Sequence, residues 1–468
     1  MIIIMEEFMN KIDLLKTRRE KLLQCGSEVR KQISALTDEG SFVELDAYSF
    51  SRNEFYGEDA EGEGVVTGYA TINDVPVYVV AQNANVLSGG VSLANCKKIV
   101  KCLQKAKLTG YAVVYLFNSL GVQVGEGVNV LEGMGEVLNA SLALKDEVTQ
   151  ISVVTGKLYG TFALLSANCD YNYMLDGSCV AYASPTVISA VSGKNLPAEE
   201  VGGAKASKYN NVTTFKATNV ENVREKLVEL FAVIPAFSSV VEDTDDDLNR
   251  VSANLNEKAC PKCLESAVFD NGKCIEMNAD FCPEVITAVG RVGGISVAAI
   301  IFGGEDKGVE LNLNNVLKIK EFVNYANDYN LPVITFVNTL GIKTDLATSN
   351  TPIMKEINNL AYNLRQSARI SVVYGKAIGL GYTLFASKSL GVDYSYAFAN
   401  SQIALFTGAA SSAYFGNVRE DKLDELAEKY AEENADPINA ARNGYVDNVI
   451  EPQFVRAYVI SALQTFVR

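Results

Sequence analysis

The chemistry open to this chain is narrowed first by what it lacks. Its 468 residues include no histidine and no tryptophan. Ser–His and Cys–His catalysis and His-ligated metals are therefore excluded, which leaves backbone amides, carboxylates, Lys, Tyr, Cys or the substrate itself. One stretch and its echo stand out. Ile151-Ser-Val-Val-Thr-Gly-Lys-Leu-Tyr-Gly-Thr161 returns as Ile370-Ser-Val-Val-Tyr-Gly-Lys-Ala-Ile-Gly-Leu380, identical at seven of eleven positions and 219 residues apart. Each copy reads as a buried strand, a Gly-Lys-x-x-Gly turn and the start of an apolar helix. A strand that feeds a helix in this way leaves N–H groups unpaired at the helix N-terminus. Donors so placed can hold a developing oxyanion. Two copies predict two related sites.

A second pair of glycine turns, Leu120-Gly121 and Leu340-Gly341, follows a strand in each half, where ligands of α/β sheets sit. Gly89-Gly90, ahead of a helix, suits close backbone approach to a ligand. Other signals are weaker. Gly62-Glu-Gly64 and Gly125-Glu-Gly127 complete no dinucleotide fingerprint, and neither a P-loop nor a nucleophile elbow is present. Glu132 and Glu136, one helical turn apart, could form an acid–base pair but read more readily as a solvated helix face. Cys260-Pro-Lys-Cys263, Cys274 and Cys282 invite a zinc reading. Their later spacing is ragged, Pro261 suits a helix start, and no metal is predicted.

The elements that must carry these turns repeat as well. Strand-like runs at Val65–Ile72 and Val75–Ala81 flank Asn73-Asp74. An amphipathic helix follows over 93–107, with Leu93, Cys96, Ile99, Val100, Leu103 and Ala106 on one face. Its counterpart is Leu313–Ala326. The strand Ala112–Phe117 ends in Asn118-Ser-Leu-Gly, and Val333–Val337 ends in Asn338-Thr-Leu-Gly. Asp170-Tyr-Asn-Tyr recurs as Asp393-Tyr-Ser-Tyr, and Asp38 is in register with Asp270. Helices are also expected within Glu6–Leu36, Asp421–Asn434 and Phe454–Phe466. The whole is a tandem duplication of a βα-rich unit of roughly 220 residues, far too long a period for a solenoid. The acidic stretch from Glu242 to Asp247 reads as the solvated join.

Net charge is −15, which argues against nucleic acid as a ligand. An anionic cofactor facing local lysines and helix N-termini remains compatible with it. Nine scattered cysteines without a secretory signal suit a reducing cytosol, so a cytoplasmic location is expected. No apolar run reaches the roughly 18 residues of a membrane span.

The chain resembles the carboxyltransferase subunits of biotin-dependent acyl-CoA carboxylases, the propionyl-CoA carboxylase β type, and of sodium-pumping acyl-CoA decarboxylases. The likeness runs nearly end to end. It rests on Gly64-Val-Val-Thr-Gly-Tyr-Ala-Thr-Ile-Asn, Pro76-Val-Tyr-Val, Gly202-Gly-Ala-Lys, Asp436-Pro, Ala440-Ala-Arg and Gly444-Tyr-Val-Asp-Asn-Val-Ile-Glu-Pro. The resemblance implies an α/β fold of two tandem crotonase-like domains. Residues 1–241 would hold the acyl-CoA and residues 242–468 the biotin of a carrier protein, in a homohexamer built as a dimer of trimers. It implies two oxyanion holes, one for the thioester enolate and one for the ureido oxygen of biotin, and a reaction that needs no histidine. By position, the first hole would use the N–H groups of Gly160 and Thr161, and the second those of Leu380 and Gly381. Gly89, Gly90, Gly121, Gly341 and Gly379 would let the CoA thioester and biotin approach. Implied partners are a biotin carboxyl carrier protein, together with a biotin carboxylase or a sodium-pump membrane subunit.

The expected function is transfer of a carboxyl group between carboxybiotin and a short acyl-CoA, in the carboxylase or the decarboxylase direction. Two further readings stand beside it. Family members have Gly where this chain has Thr161 and Leu380, and an acidic residue where it has Asn118 and Asn338. A catalytically degenerate paralogue serving as an assembly subunit would show such changes. A crotonase-type hydratase or hydrolase would use Glu126, Glu132 or Glu136 as base.

Overall fold

The runs flanking Asn73-Asp74 pair as a hairpin, Val65–Ile72 against Val75–Gln82. Both turn residues have positive φ, 50° and 66°, as the central residues of a type I′ turn require. A computed structural model describes this and the rest of residues 11–49, 61–234, 241–304, 307–406 and 422–467. The chain divides into two units, Met1–Glu229 and Leu230–Arg468.

The first unit opens with helices α1 (Lys11–Cys25) and α2 (Ser27–Leu36). Strands β1 (Val43–Leu45), β2 (Val65–Ile72) and β3 (Val75–Gln82) follow. Then come α3 (Leu93–Thr109), β4 (Ala112–Ser119), α4 (Val128–Leu142), β5 (Gln150–Tyr159) and α5 (Thr161–Ala167). The strands β6 (Tyr171–Leu175), β7 (Cys179–Ala181) and β8 (Phe215–Ala217) complete the sheet, and α6 (Val220–Val233) follows it. The sheet order is β1-β2-β3-β4-β5-β6-β8, with β7 paired to β5. The β1–β2–β3 edge is antiparallel and the rest parallel.

Apolar periodicity decides how α3 lies. Cys96, Ile99, Cys102, Leu103 and Ala106 bury against Val80, Val113, Tyr115 and Phe117 of the sheet, each larger side chain contributing about 1.5–3 kcal/mol. The Ser92 hydroxyl accepts the Asn95 N–H at 3.0 Å to start the helix. Gly110, at φ 73°, ends it.

The second unit repeats the plan. Helix α7 (Pro261–Val268) leads to β9 (Cys274–Met277), β10 (Val285–Val292), β11 (Ile295–Phe302) and β12 (Val309–Leu311). Next are α8 (Leu313–Asp328), β13 (Val333–Ile342), α9 (Ile353–Leu364), β14 (Arg369–Ile378) and α10 (Leu380–Phe385). The unit closes with β15 (Tyr394–Phe398), β16 (Gln402–Ala404), α11 (Leu423–Asn434), β17 (Asn448–Ile450) and α12 (Val455–Gln464). The order β17-β15-β14-β13-β11-β10-β9, with β16 on β14, mirrors the first sheet, and β12 adds to β13.

The repeat extends to polar details. Asp170 accepts the Gln150 N–H at 2.7 Å, and Asp393 accepts the Arg369 N–H at 2.8 Å, each beside the first residue of its central strand. Lys98 on α3 and Lys318 on α8 are both buried. Lys98 donates to the Gly62 and Val65 carbonyls at 2.9 and 2.7 Å, and Lys318 to Phe281 O at 2.6 Å.

Two expectations about local structure are corrected. The Gly156-Lys157 and Gly375-Lys376 pairs are not turns. They lie inside β5 and β14, where the pairing with β4 and β13 slips in register. The acidic stretch after Val241 is not merely a solvated join. Val241 bridges Ile295, Glu242 N–H bonds to Gly294 O and its carboxylate pairs with Arg291, and the Asp246 carboxylate accepts the Asn271 N–H at 2.8 Å.

Candidate functional site

The true turns are single residues, Gly160 and Gly379. Gly160 has φ 81° and ψ −145°, and Gly379 has φ 53° and ψ −123°. Side chains rarely adopt either conformation, so glycine is needed where the strand breaks into the helix. Each turn is then anchored in the same way. Gly160 N–H donates to Ala181 O of β7 at 3.1 Å, and Gly379 N–H to Ala404 O of β16 at 3.0 Å. The Gly160 amide is thus consumed by the fold and is not presented to a ligand.

This anchoring sets the structural register between the halves. Gly160 corresponds to Gly379, so Thr161 corresponds to Leu380 and Phe162 to Gly381. These residues open α5 and α10, where N–H groups have no carbonyl one turn back. Among the described residues no other backbone acceptor takes the N–H of Thr161, Phe162, Leu380 or Gly381. The expected pair Leu380 and Gly381 is therefore available. On the first side the available pair is Thr161 and Phe162. Nothing local in the sequence shows that the Gly160 N–H is bonded to Ala181 O.

The loops beside these amides also repeat. The Ser119 hydroxyl accepts Gly121 N–H at 3.2 Å, and the Thr339 hydroxyl accepts Gly341 N–H at 3.1 Å. A Cβ on Gly341 would lie 3.6 Å from Gly381 N and 3.8 Å from Leu380 N. The same Cβ would lie 3.0 Å from Ile378 O, so this loop packs closely on the strand end and the start of α10. A Cβ on Gly121 would meet nothing within 4 Å, so the first turn is the roomier. Leu380 is 47% exposed.

Other expected positions have work inside the fold. A Cβ on Gly89 would come 2.2 Å from Asn118 O, and one on Gly90 2.0 Å from Gln123 Nε2. Their smallness lets the segment around Gly89 pack on the Leu120-Gly121 loop, where Val91 N–H bonds to Gly121 O at 2.9 Å and Gln123 Nε2 to Leu87 O at 2.8 Å. Glu126 accepts the Leu93 N–H at 2.6 Å and so caps α3, while Glu132 and Glu136 are exposed on α4. Cys260 and Cys263 are joined by a disulfide. Among the described residues no group of three or more Cys, Asp or Glu is arranged to hold a metal ion. No described helix is long and apolar enough to cross a membrane.

The two asparagines that replace acidic residues of the family take matching places. Asn118, next to the last residue of β4, and Asn338, within β13, lie over Gly156 and Gly375. Their Oδ1 atoms accept the Lys157 and Lys376 N–H groups at 3.3 and 3.0 Å. Both asparagines stand out in the sequence as replacements of an acidic residue of the family, but their contact with the Gly-Lys segment of the next strand is not visible there.

The chain is similar to known proteins over nearly its whole length. Residues 25–468 match the carboxyl transferase domain model. The chain is 30% identical over 484 residues to methylmalonyl-CoA decarboxylase subunit alpha of Veillonella parvula, covering 97% of this chain and 95% of that protein. It is 28% identical to the carboxyltransferase subunit of propionyl-CoA carboxylase of Haloferax mediterranei, covering 97% and 96%. The crystal structure of transcarboxylase 12S with methylmalonyl-coenzyme A and methylmalonic acid bound superposes with a TM-score of 0.88 at 24% identity, covering 97% of this chain and 95% of that one. The shared fold is two tandem crotonase-like domains. The chain belongs to the carboxyl transferase domain family, of the type found in propionyl-CoA carboxylases and methylmalonyl-CoA decarboxylases.

Proposed function

We propose that the chain moves a carboxyl group between carboxybiotin on a carrier protein and a short acyl-CoA, using main-chain amides to stabilise negative oxygen at two turns. The observation that carries this reading is the repeated arrangement in which Gly160 and Gly379 are tied to β7 and β16 while the amides after them stay open. In the first half, Thr161 and Phe162 N–H receive the thioester oxygen as it gains charge. In the second, Leu380 and Gly381 N–H receive the ureido oxygen of biotin. Gly341 lies beside these amides, a Cβ on it falling 3.6 and 3.8 Å from the Gly381 and Leu380 nitrogens, so a glycine there limits crowding of a ring held by them. Biotin, when bound, supplies the carboxyl group and its acceptor. The chain positions the two partners and stabilises charge, which fits a composition without histidine.

Within this reading the first half holds the acyl-CoA and the second half the carrier-borne biotin. The working form is a homohexamer, as described for transcarboxylase 12S. Its partners are a biotin carboxyl carrier protein and a carboxylase or membrane decarboxylase subunit. The test is carboxyl exchange. Purified chain, a biotinylated carrier and labelled malonyl- or methylmalonyl-CoA are incubated, and label on the carrier is measured. Transfer that depends on the chain is expected. No transfer with any short acyl-CoA, from a correctly assembled protein, overturns the proposal.

A further inference from the structure

Helix α7 begins with Cys260-Pro-Lys-Cys263, and neither catalysis nor the repeat accounts for those cysteines. In the register set by Asp38 and Asp270, the matching positions of the first unit are Glu28 and Lys31 on α2. The fold does not require cysteine there. The sulfurs are joined, with the Cα atoms 5.0 Å apart and only Pro261 and Lys262 between the partners. A loop so short removes little entropy from the unfolded chain. The segment is already fixed by Pro261 at the first helical position and by the buried Leu264, Ala267 and Val268. Structural stapling is therefore a poor explanation for the bond.

We propose that Cys260 and Cys263 form a thiol–disulfide exchange site for low-molecular-weight thiols and disulfides of the glutathione class. Cys260 is the N-cap of α7, and its Sγ accepts the Cys263 N–H at 3.2 Å. That donor and the helix N-terminus favour a thiolate on Cys260 when the pair is reduced. Both cysteines are half-buried, so a small disulfide can reach them. Lys262, exposed between them, pairs with Glu265 at 2.9 Å and lies 4.0 Å from Glu276. Cys263 packs partly against the apolar core of the second unit, which suits the resolving partner. The neighbouring thiols are poor competitors. Burial pushes Cys274 up to about 12 and Cys282 up to about 11.

The exchange balances without any other oxidant. The Cys260 thiolate attacks a disulfide RSSR, forming a mixed disulfide and releasing RS⁻. The Cys263 thiolate then attacks Cys260 Sγ, closing the intramolecular bond and releasing a second RS⁻. The two thiol protons pass to solvent or to the released thiolates. The sum is two protein thiols plus RSSR giving one protein disulfide plus two RSH.

The test uses the full chain, equilibrated with reduced and oxidised glutathione at varied ratio, acid-quenched, labelled with a maleimide and mapped by mass spectrometry. Cys260 and Cys263 should change together as one two-electron pair, while Cys96 and Cys102 stay reduced. In the reduced chain at pH 7, Cys260 should alkylate about tenfold faster than an ordinary exposed thiol. Cys263→Ser should trap one glutathione on Cys260. Cys260→Ser, which keeps a capping side chain, should trap far less on Cys263. Three results overturn the proposal: Cys260 alkylating no faster than Cys274, a pair that stays oxidised until the chain unfolds, or a reduced chain that binds one zinc ion through these thiols.

Discussion

Arg456 Nη2 lies 2.7 Å from Asp270 Oδ1, and Arg224 Nη2 lies 2.6 Å from Asp38 Oδ1. Each pair ties the last helix of its unit to the turn of the antiparallel hairpin. Asp38 also accepts the Asn73 and Asp74 N–H groups at 2.9 and 3.0 Å. Asp270 accepts those of Gly293 and Gly294, both at 2.8 Å. The copies differ in burial. The Arg456 side chain is 1% exposed, whereas that of Arg224 is 37% exposed.

That difference makes a prediction. Arg456→Ala leaves the Asp270 carboxylate buried without its partner and should cost about 3–5 kcal/mol. Arg224→Ala removes a pair screened by solvent and should cost about 1 kcal/mol or less. Urea unfolding of the two variants decides the matter. Equal losses would mean that the pins are not distinguished by burial.

A second prediction concerns the site. The Asn118 amide oxygen would stand 2.4 Å from a Cβ on Gly156, and the Asn338 oxygen 2.3 Å from one on Gly375. Gly156→Ala and Gly375→Ala should each cost about 1–3 kcal/mol through overpacking. Adding Asn118→Ala to the first, or Asn338→Ala to the second, should recover part of that loss. A double-mutant cycle measures the coupling. Strictly additive losses would place the glycines' role elsewhere.

These side chains also show where the sequence could be read and where it could not. The buried face of α3, the hairpin about Asn73, and the Asp170 and Asp393 echoes are local patterns that repeat, and each was legible. The course of β5 through Gly156 was not. A Gly-Lys pair looks like a turn until Asn118, from a neighbouring strand, is known to lie over it. Nor could the fate of the Gly160 amide be read, because its acceptor, Ala181, belongs to a three-residue strand 21 positions away. The acidic run near Asp246 looked like a solvated join because the arginines that meet it, Arg250 and Arg456, come from α7's approach and from α12.

The buried lysines give a pH signature. Burial lowers Lys98 and Lys318 to about 8 each, against roughly 10.4 in an unfolded chain. Below pH 8 the folded chain carries the full cost of burying the ammonium groups. Between about 8 and 10.4 the unfolded chain binds more protons than the folded one, so stability due to these sites rises with pH. Lys98→Met removes one of the two. From pH 7.5 to 10.5 the wild type should gain on this variant by a few kcal/mol at most, on the order of two pKa units. A stability difference that does not move with pH would show that the amine does not titrate in this range.

The sharpest test of the amides exploits proline. At the first position of a helix proline is tolerated, since it lacks an N–H that has no intrahelical partner there and its φ suits the helix. Thr161 and Leu380 hold those positions in α5 and α10. Thr161→Pro and Leu380→Pro therefore delete one donor each while leaving the turn glycine, its anchor to β7 or β16, and the helix in place. Loss of one oxyanion donor lowers kcat by about 10²–10³. Both variants should show that loss in carboxyl transfer, with far-ultraviolet circular dichroism and unfolding midpoint close to wild type. Thr161→Ala and Leu380→Ala keep the donors and should retain most activity. If the alanine variants lose as much as the proline ones, the side chains matter more than the amides. If none of the four loses activity, negative charge is met elsewhere in the chain.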